Sequence, residues 1–96
     1  MNLSGLTDNE IWTSFKNGDS KALSFIYAEN SIILYRYGLK VTSDSFFIED
    51  TIQDLFSELI KNRKNLGFTD NIKFYLLKAF RRKLIRRLQK EKRLEC

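Results

Sequence analysis

Carboxylates recur at four-residue intervals in the segment DTIQDLFSELIKNRK, which covers residues 50–64. On a helix, Asp50, Asp54 and Glu58 would form one stripe, in which each pair of like charges costs roughly 0.2–0.5 kcal/mol. The chain carries a formal net charge of +5, so these acids are not needed for solubility. Two interpretations are open: a solvated face, or a docking surface for a basic partner helix with Ile60 as its apolar anchor.

A second set of residues could bind nucleic acid. At 100° per residue, one arc of a helix near the carboxyl end places an aromatic ring ahead of several cations. The arc comprises Tyr75, Lys78, Arg82, Arg86, Gln89 and Arg93, and Phe68 lies just before it in a loop that contains Gly67. Aromatic rings stack on bases and cations contact phosphates, so the arc predicts a nucleic-acid surface. The alternative is a basic amphipathic helix that serves a membrane surface or an acidic protein.

Composition restricts the chemistry that the chain could perform. Its 96 residues include no histidine, so zinc, haem and histidine-based general-base catalysis lose their commonest ligand or base. The single cysteine, Cys96, cannot form an internal disulfide and fits a reducing compartment. The first residues lack a basic start and an apolar run, and no long apolar stretch occurs elsewhere. The sequence therefore predicts a soluble, cytoplasmic protein with no signal peptide, membrane insertion, metal or cofactor.

Charge is distributed unevenly along the chain. Residues 1–60 include four basic and nine acidic residues, a net charge of −5. Residues 61–96 include thirteen basic and three acidic residues, a net charge of +10. The acidic stripe belongs to the first part and the basic arc to the second. This asymmetry predicts two electrostatically different surfaces and two different partners.

Helices must position these residues, because the chain has no proline and only four glycines. Periodicity and capping residues predict four helices, over about 7–16, 21–41, 46–63 and 71–93. Thr7 or Asp8 begins the first helix, and Gly18 ends it. The residues expected to be buried are Trp12, Ile26, Ile33, Ile52, Phe56, Leu76 and Phe80. The prediction is a single all-α domain over residues 1–96, a compact four-helix bundle with no β-sheet.

The predicted third helix divides into two faces. Ile48, Ile52, Leu55, Phe56 and Leu59 follow the i, i+4, i+7, i+8, i+11 pattern of a core face. Asp50, Gln53, Asp54, Ser57 and Lys61 fall on the opposite side. Ile60 lies at the border beside Gln53 and is predicted to be partly exposed. Periodicity alone does not decide between a solvated face and a docking surface.

Together, these segments resemble region 2 of bacterial sigma factors, especially the small extracytoplasmic-function (ECF) group. Three of them carry the resemblance: GDSKAL with the aromatic-rich helix that follows it, EDTIQDLF at residues 49–56, and FYLLKAFRRKLIRRLQK at residues 74–90. The resemblance extends over nearly the whole chain, from about Thr7 to Arg93. Its most specific part is the pattern D-x-x-Q-[DE]-x-F.

The resemblance implies a role for the acidic stripe. In this family the third helix docks on a basic coiled coil at the clamp of the largest catalytic subunit of RNA polymerase. By similarity, the core-polymerase contacts are Asp50, Gln53 and Asp54, and Ile60 extends the patch. Repulsion tolerated in the free domain would become complementarity in the complex. Reversing Asp50 and Asp54 to lysine should then weaken polymerase binding and leave the fold intact or slightly more stable.

The resemblance also implies a role for the loop at 65–71 and the fourth helix, which would read the promoter −10 element. They would capture a flipped base and hold the separated strand. The DNA-binding positions implied are Phe68, Tyr75, Lys78, Arg82 and Arg86. The family commonly has asparagine at the position of Arg82 and an acid at that of Arg86. Arginine at both positions favours phosphate contact over base-specific contact.

The function implied is that of a sigma-factor domain that binds core RNA polymerase and recognises and opens the −10 element. It is not an enzyme, and an anti-sigma factor is a candidate further partner. The helix-turn-helix domain that reads the −35 element in full-length members is absent, so we expect an excised fragment or a truncated homologue. Two other classes stay open: a regulatory protein-interaction module of the same fold that does not open DNA, and a basic membrane-surface or RNA-binding helix protein.

Overall fold

Four α-helices make up the fold in the computed structural model, which describes the backbone of residues 3–95 and the side chains of residues 3 and 5–91. The helices are α1 (Asp8–Lys16), α2 (Ser20–Leu39), α3 (Ser45–Lys61) and α4 (Ile72–Glu95), with 3₁₀ turns at Leu3–Gly5 and Arg63–Asn65. No strand occurs in residues 3–95, and the all-α, four-helix prediction is confirmed. The side chains of Arg93 and Cys96 lie outside the described residues.

Side-chain caps begin the first two helices, and the cap of the first helix is Thr7, one of the two residues that the sequence predicts. The Thr7 hydroxyl accepts from the Glu10 amide at 3.2 Å, and the Glu10 carboxylate accepts from the Thr7 amide at 2.9 Å, which makes a reciprocal capping box. Asp19 accepts from the Lys21 amide at 2.9 Å. These backbone hydrogen bonds are the main reason why the pKa of each carboxyl group lies below its ordinary value. Between α1 and α2, Gly18 turns the chain with a φ of 92°.

One prediction about the core is wrong. The row that α2 buries is spaced by four residues and comprises Ala22, Ile26, Asn30, Leu34 and Gly38. Ile33, predicted to be buried, lies beside this row and is only partly buried, whereas Leu34 is 1% exposed. The cause is Gly38, where a Cβ would lie 2.7 Å from Cγ2 of Ile48. The missing side chain lets α2 and α3 approach closely along this row, which turns Leu34 inwards.

The other predicted core residues are buried: Trp12, Ile26, Ile52, Phe56, Leu76 and Phe80. They belong to one cluster to which all four helices contribute. The buried amide of Asn30 is satisfied because it donates to the Ile26 carbonyl at 2.8 Å. In residues 3–95, none of the helices combines the length and apolar character that crossing a bilayer requires. With the apolar faces used in the core, α3 and α4 present mostly charged faces to the outside.

Candidate functional site

The residues predicted to contact polymerase lie on the outer face of α3. Asp50, Gln53 and Asp54 are exposed and line a depression of about 560 Å³ between α3 and the carboxyl-terminal part of α4. Ile60 is 39% exposed, in agreement with its border position. It lines a second depression, of about 480 Å³, together with Gln53 and with Tyr27 of α2. Because Gln53 belongs to both depressions, the structure brings the four predicted residues onto one continuous surface.

Cations of α4 neutralise part of this acidic stripe. Lys83 Nζ lies 3.1 Å from Oδ2 of Asp54 and also pairs with Glu58. Arg87 Nη2 lies 2.6 Å from Oδ2 of Asp50. The three carboxylate side chains remain 49%, 53% and 67% exposed, so they are still accessible to a partner. The repulsion expected from the sequence is thus compensated within the domain. Reversing Asp50 and Asp54 to lysine would set like charges against these two cations, which changes the sign of the expected effect on stability.

Arg87 is held on α3 by more than its ion pair. Its Nη1 donates to the hydroxyl of Thr51 at 2.9 Å, and its guanidinium carbon lies 5.1 Å from the centroid of the Phe47 ring. Thr51 is fully buried, and its hydroxyl in turn donates to the Phe47 carbonyl at 2.7 Å. Guanidinium groups suit this combination of planar stacking and directed hydrogen bonds. Arg87 therefore ties α4 to α3, although the sequence presents it as one more cation of a basic helix.

The predicted basic arc on α4 is open to solvent at its cationic positions. Lys78, Arg82 and Arg86 are all exposed. Among the side chains of residues 3 and 5–91, the ion pairs involve Lys83 and Arg87 and none of these three. Their charges are free to meet phosphates, because no carboxylate of the described part of the chain neutralises them at short range.

Tyr75 lies differently from the prediction. The sequence places its ring at the head of the outward arc, but the ring is partly buried and packs on Trp12, with centroids 4.9 Å apart and planes tilted by 57°. The preference of aromatic pairs for tilted packing explains this position, since Trp12 occupies the core directly beneath. The ring therefore contributes to the fold as well as to the surface.

Two other aromatic rings project from this region of the molecule. Phe68, the loop residue predicted to contact DNA, is 69% exposed, and Nζ of Lys16 lies 4.0 Å from its ring centroid. Phe74, in the first turn of α4, is 64% exposed and was missed by the sequence interpretation. Helical periodicity could have indicated its exposure, because Phe74 falls outside the buried stripe that contains Leu76 and Phe80.

A cleft of about 320 Å³ separates the carboxyl-terminal end of α3 from the middle of α4. Its apolar lining residues are Leu55, Leu59, Leu66 and Ala79, and its cations are Arg82, Lys83, Arg86 and Arg87. The carboxylate of Glu58 also lines this cleft and pairs with Lys83, so part of its positive charge is neutralised within the molecule. In the described part of the chain there is no group of three or more side chains suited to hold a metal ion.

Comparison with protein-family models gives a match to Sigma-70 region 2 over residues 26–94. The matched residues include most of α2, all of α3 and nearly all of α4, and α1 lies outside them. No curated protein and no solved structure matches the chain. The matched range contains the acidic stripe, the loop at 65–71 and the basic arc.

Proposed function

The chain belongs to the Sigma-70 region 2 family, and we propose that it binds core RNA polymerase through α3 and the separated −10 promoter strand through α4. Family membership indicates a sigma-factor-like role in polymerase binding and promoter recognition. We further propose that the protein belongs to the ECF group, opens the −10 element, has no enzymatic activity, acts in the cytoplasm and has an anti-sigma factor as a further partner.

One observation carries the DNA part of the proposal: exposed rings and unpaired cations occur together in the loop at 65–71 and the first half of α4. Phe68 and Phe74 project into solvent, and Lys78 and Arg82 are exposed without an ion pair among the described side chains. Duplex DNA hides the faces of its bases, so protruding rings are of use mainly against an unstacked strand. The cations suit its phosphates. This combination favours single-stranded over double-stranded nucleic acid.

The polymerase part of the proposal is supported by the acidic surface of α3. Asp50 and Asp54 accept hydrogen bonds from Arg87 and Lys83, but each carboxylate has two oxygens and room for further donors. A basic coiled coil could add its cations on the open side while the cations of α4 stay in place. The neighbouring groove offers Ile60 and Tyr27 as apolar contacts, so charge and apolar area lie side by side, as in other protein interfaces.

The test is a selection in which the promoter sequence need not be specified. Single-stranded oligonucleotides with a randomised segment are incubated with core RNA polymerase, with and without the domain, and the retained strands are sequenced. We expect one sequence class to be enriched only when both proteins are present. Enrichment that is the same with core enzyme alone would contradict promoter-strand recognition. Failure of the domain to co-elute with core enzyme would contradict polymerase binding.

A second candidate function is a regulatory protein-interaction module that does not open DNA. The observation that favours it is the exposed apolar area beside the acidic stripe, where Ile32 is 62% and Tyr27 is 42% exposed. Both line a depression on the boundary between α2 and α3. In the selection above, this module would co-elute with core enzyme or another protein and enrich no oligonucleotide.

A further inference from the structure

α1 holds the loop and helix start that the proposed DNA surface depends on. The indole Nε1 of Trp12 donates to the carbonyl oxygen of Gly67 at 2.8 Å. Oδ2 of Asp8 accepts from the backbone amide of Ile72 at 2.8 Å. The first amides of a helix lack partners within the helix, so Asp8 caps α4 from another element, 64 residues away in sequence. Trp12 is fully buried, which makes its single donor costly to leave unpaired.

The same helix also contacts two of the aromatic rings proposed to meet DNA. The Trp12 ring lies 4.9 Å from that of Tyr75, and Nζ of Lys16 lies 4.0 Å from the centroid of Phe68. Asp8, Trp12 and Lys16 recur at four-residue spacing and so lie on one face of α1. This face therefore meets the loop at 65–71 and the start of α4 at four separate points.

Within the loop at 65–71, Leu66 packs against the core, whereas Gly67 and Phe68, which follow it, are exposed. Gly67 is exposed, and a Cβ added there would meet nothing within 4 Å. Thr69 and Asn71 form hydrogen bonds with each other, and Asn71 accepts from the Phe74 amide at 3.0 Å, but these bonds are local to the helix start. Among the described residues, the hydrogen bond from Trp12 to Gly67 is the one that links the loop to a distant part of the chain.

We propose that Asp8 and Trp12 are positioning residues for binding of the −10 strand. They act from outside the matched residues 26–94 by fixing the loop that carries Phe68 and the first turn of α4 that carries Phe74. A loop that already has its bound conformation avoids the entropic cost of becoming ordered when the strand binds. This inference rests on the proposed function, since it concerns the same DNA surface.

The test compares four variants of the full chain in complex with core polymerase. Trp12→Phe keeps an aromatic ring and removes the donor to Gly67. Phe15→Leu is its control, because Phe15 is also buried in α1 and packs on the Trp12 ring but has no donor. Asp8→Ala removes the acceptor for the Ile72 amide, and Asp8→Asn keeps one. The measurements are affinity for the selected −10 oligonucleotide, affinity for core enzyme, and amide hydrogen exchange at residues 66–72.

We expect Trp12→Phe and Asp8→Ala each to weaken oligonucleotide binding by about three- to tenfold, the range for losing one intramolecular hydrogen bond. Amide exchange at residues 66–72 should quicken in the free protein, and affinity for core enzyme should not change. Phe15→Leu should leave oligonucleotide binding unchanged, and Asp8→Asn should retain most of it.

Three results would overturn the inference while leaving the proposed function intact. The first is a wild-type protein that binds the oligonucleotide and a Trp12→Phe variant that binds it equally well. The second is an equal loss in Phe15→Leu, which would mean that core stability alone governs binding. The third is unchanged exchange at residues 66–72. If the wild-type protein itself bound no oligonucleotide, the proposed function would fail, and quickened exchange would still establish the positioning contacts.

Discussion

The outer faces of α3 and α4 carry opposite charge, but they differ more in how their charges are used. On α3, Asp50, Asp54 and Glu58 are paired with cations of the neighbouring helix. On α4, Lys78 and Arg86 are exposed and have no ion pair among the described side chains. The acidic charges of α3 are therefore paired within the molecule, whereas these cations of α4 are available to bind a partner.

This difference separates the cations of α4 into two groups that look alike in sequence. Arg86 and Arg87 are neighbours, yet of these two only Arg87 has an ion pair, hydrogen bonds or a cation–π contact with α3 among the described side chains, through Asp50, Thr51 and Phe47. Because the helix turns by 100° per residue, adjacent arginines point to different surroundings. A basic helix that packs on an acidic one can therefore use part of its charge for the fold and part for binding.

The largest effect should follow from reversing Asp50 and Asp54 to lysine. Affinity for core polymerase should fall by roughly 2–5 kcal/mol, the range for losing one member of a close interfacial charge pair. The free energy of unfolding should also fall, by roughly 1–2 kcal/mol, because two exposed ion pairs become repulsive contacts with Lys83 and Arg87. Co-elution with core enzyme and urea unfolding followed by circular dichroism measure the two effects.

A charge exchange distinguishes the two effects of that reversal. Asp50→Arg combined with Arg87→Glu restores opposite charges across the helix pair, whereas Asp50→Arg alone does not. We expect the combined variant to recover part of the lost stability and to bind polymerase as poorly as the single one. Recovery of polymerase binding together with stability would show that the stripe matters only for the fold.

The second prediction concerns Phe74, the exposed ring missed in the sequence. Phe74→Ala should reduce affinity for the selected −10 oligonucleotide by about 1–3 kcal/mol if a base stacks on the ring. Its stability should stay close to that of the wild type, because the ring is 64% exposed. Fluorescence anisotropy in the presence of core enzyme measures the affinity.

Phe46→Ala is the matched control for this prediction. Phe46 is 84% exposed but lies at the start of α3, away from the loop and α4 in sequence. It should have no effect on oligonucleotide binding. Tyr75→Ala should lower both affinity and stability, since the Tyr75 ring also packs on Trp12. Equal affinities of Phe74→Ala and the wild type would show that Phe74 does not contact the DNA.

The third prediction uses the neighbouring arginines. Arg86→Ala and Arg82→Ala should each flatten the log–log dependence of oligonucleotide binding on salt concentration by roughly 0.7, the value for one phosphate contact with a single strand. Arg87→Ala should leave this slope unchanged and lower the free energy of unfolding by about 1 kcal/mol, through loss of its bonds to Thr51 and Asp50. If Arg87→Ala altered the slope as much as Arg86→Ala, the assignment of Arg86 to DNA binding and of Arg87 to the fold would be contradicted.

Much of the fold could be predicted from the sequence because its signals are local. The capping box of Thr7 and Glu10, the turn at Gly18 and the apolar stripes of α3 and α4 each depend on residues a few positions apart. The buried row of α2 could not be predicted in the same way. It is selected by Gly38 meeting Ile48 of another helix, a contact that α2 alone does not encode.

The candidate site was predictable as two surfaces, but not in its pairings. Exposure of Asp50, Gln53 and Asp54 follows from helical periodicity. The contacts of Arg87 with α3 and of Trp12 with Gly67 link residues 36 to 55 positions apart, so no local pattern could indicate them. The same limit led the sequence interpretation to place the Tyr75 ring in solvent, since its packing partner is in α1.

The smallest expected effect concerns acids that belong to neither surface. The pKa of Asp19 is lowered, first by the hydrogen bond from the Lys21 amide, so the folded state binds a proton there less readily than the unfolded chain. Its contribution to stability is complete at pH values above the ordinary pKa of 3.8 and is lost as the pH falls through the lowered one. Asp19→Asn keeps a capping oxygen, so it should match the wild type at neutral pH and lose less stability on acidification below about pH 4. Urea midpoints measured from neutral to acidic pH test this, with Glu29→Gln, an exposed position on α2 that caps no helix, as the control. An acid dependence identical in Asp19→Asn and the wild type would mean that Asp19 does not contribute to acid unfolding.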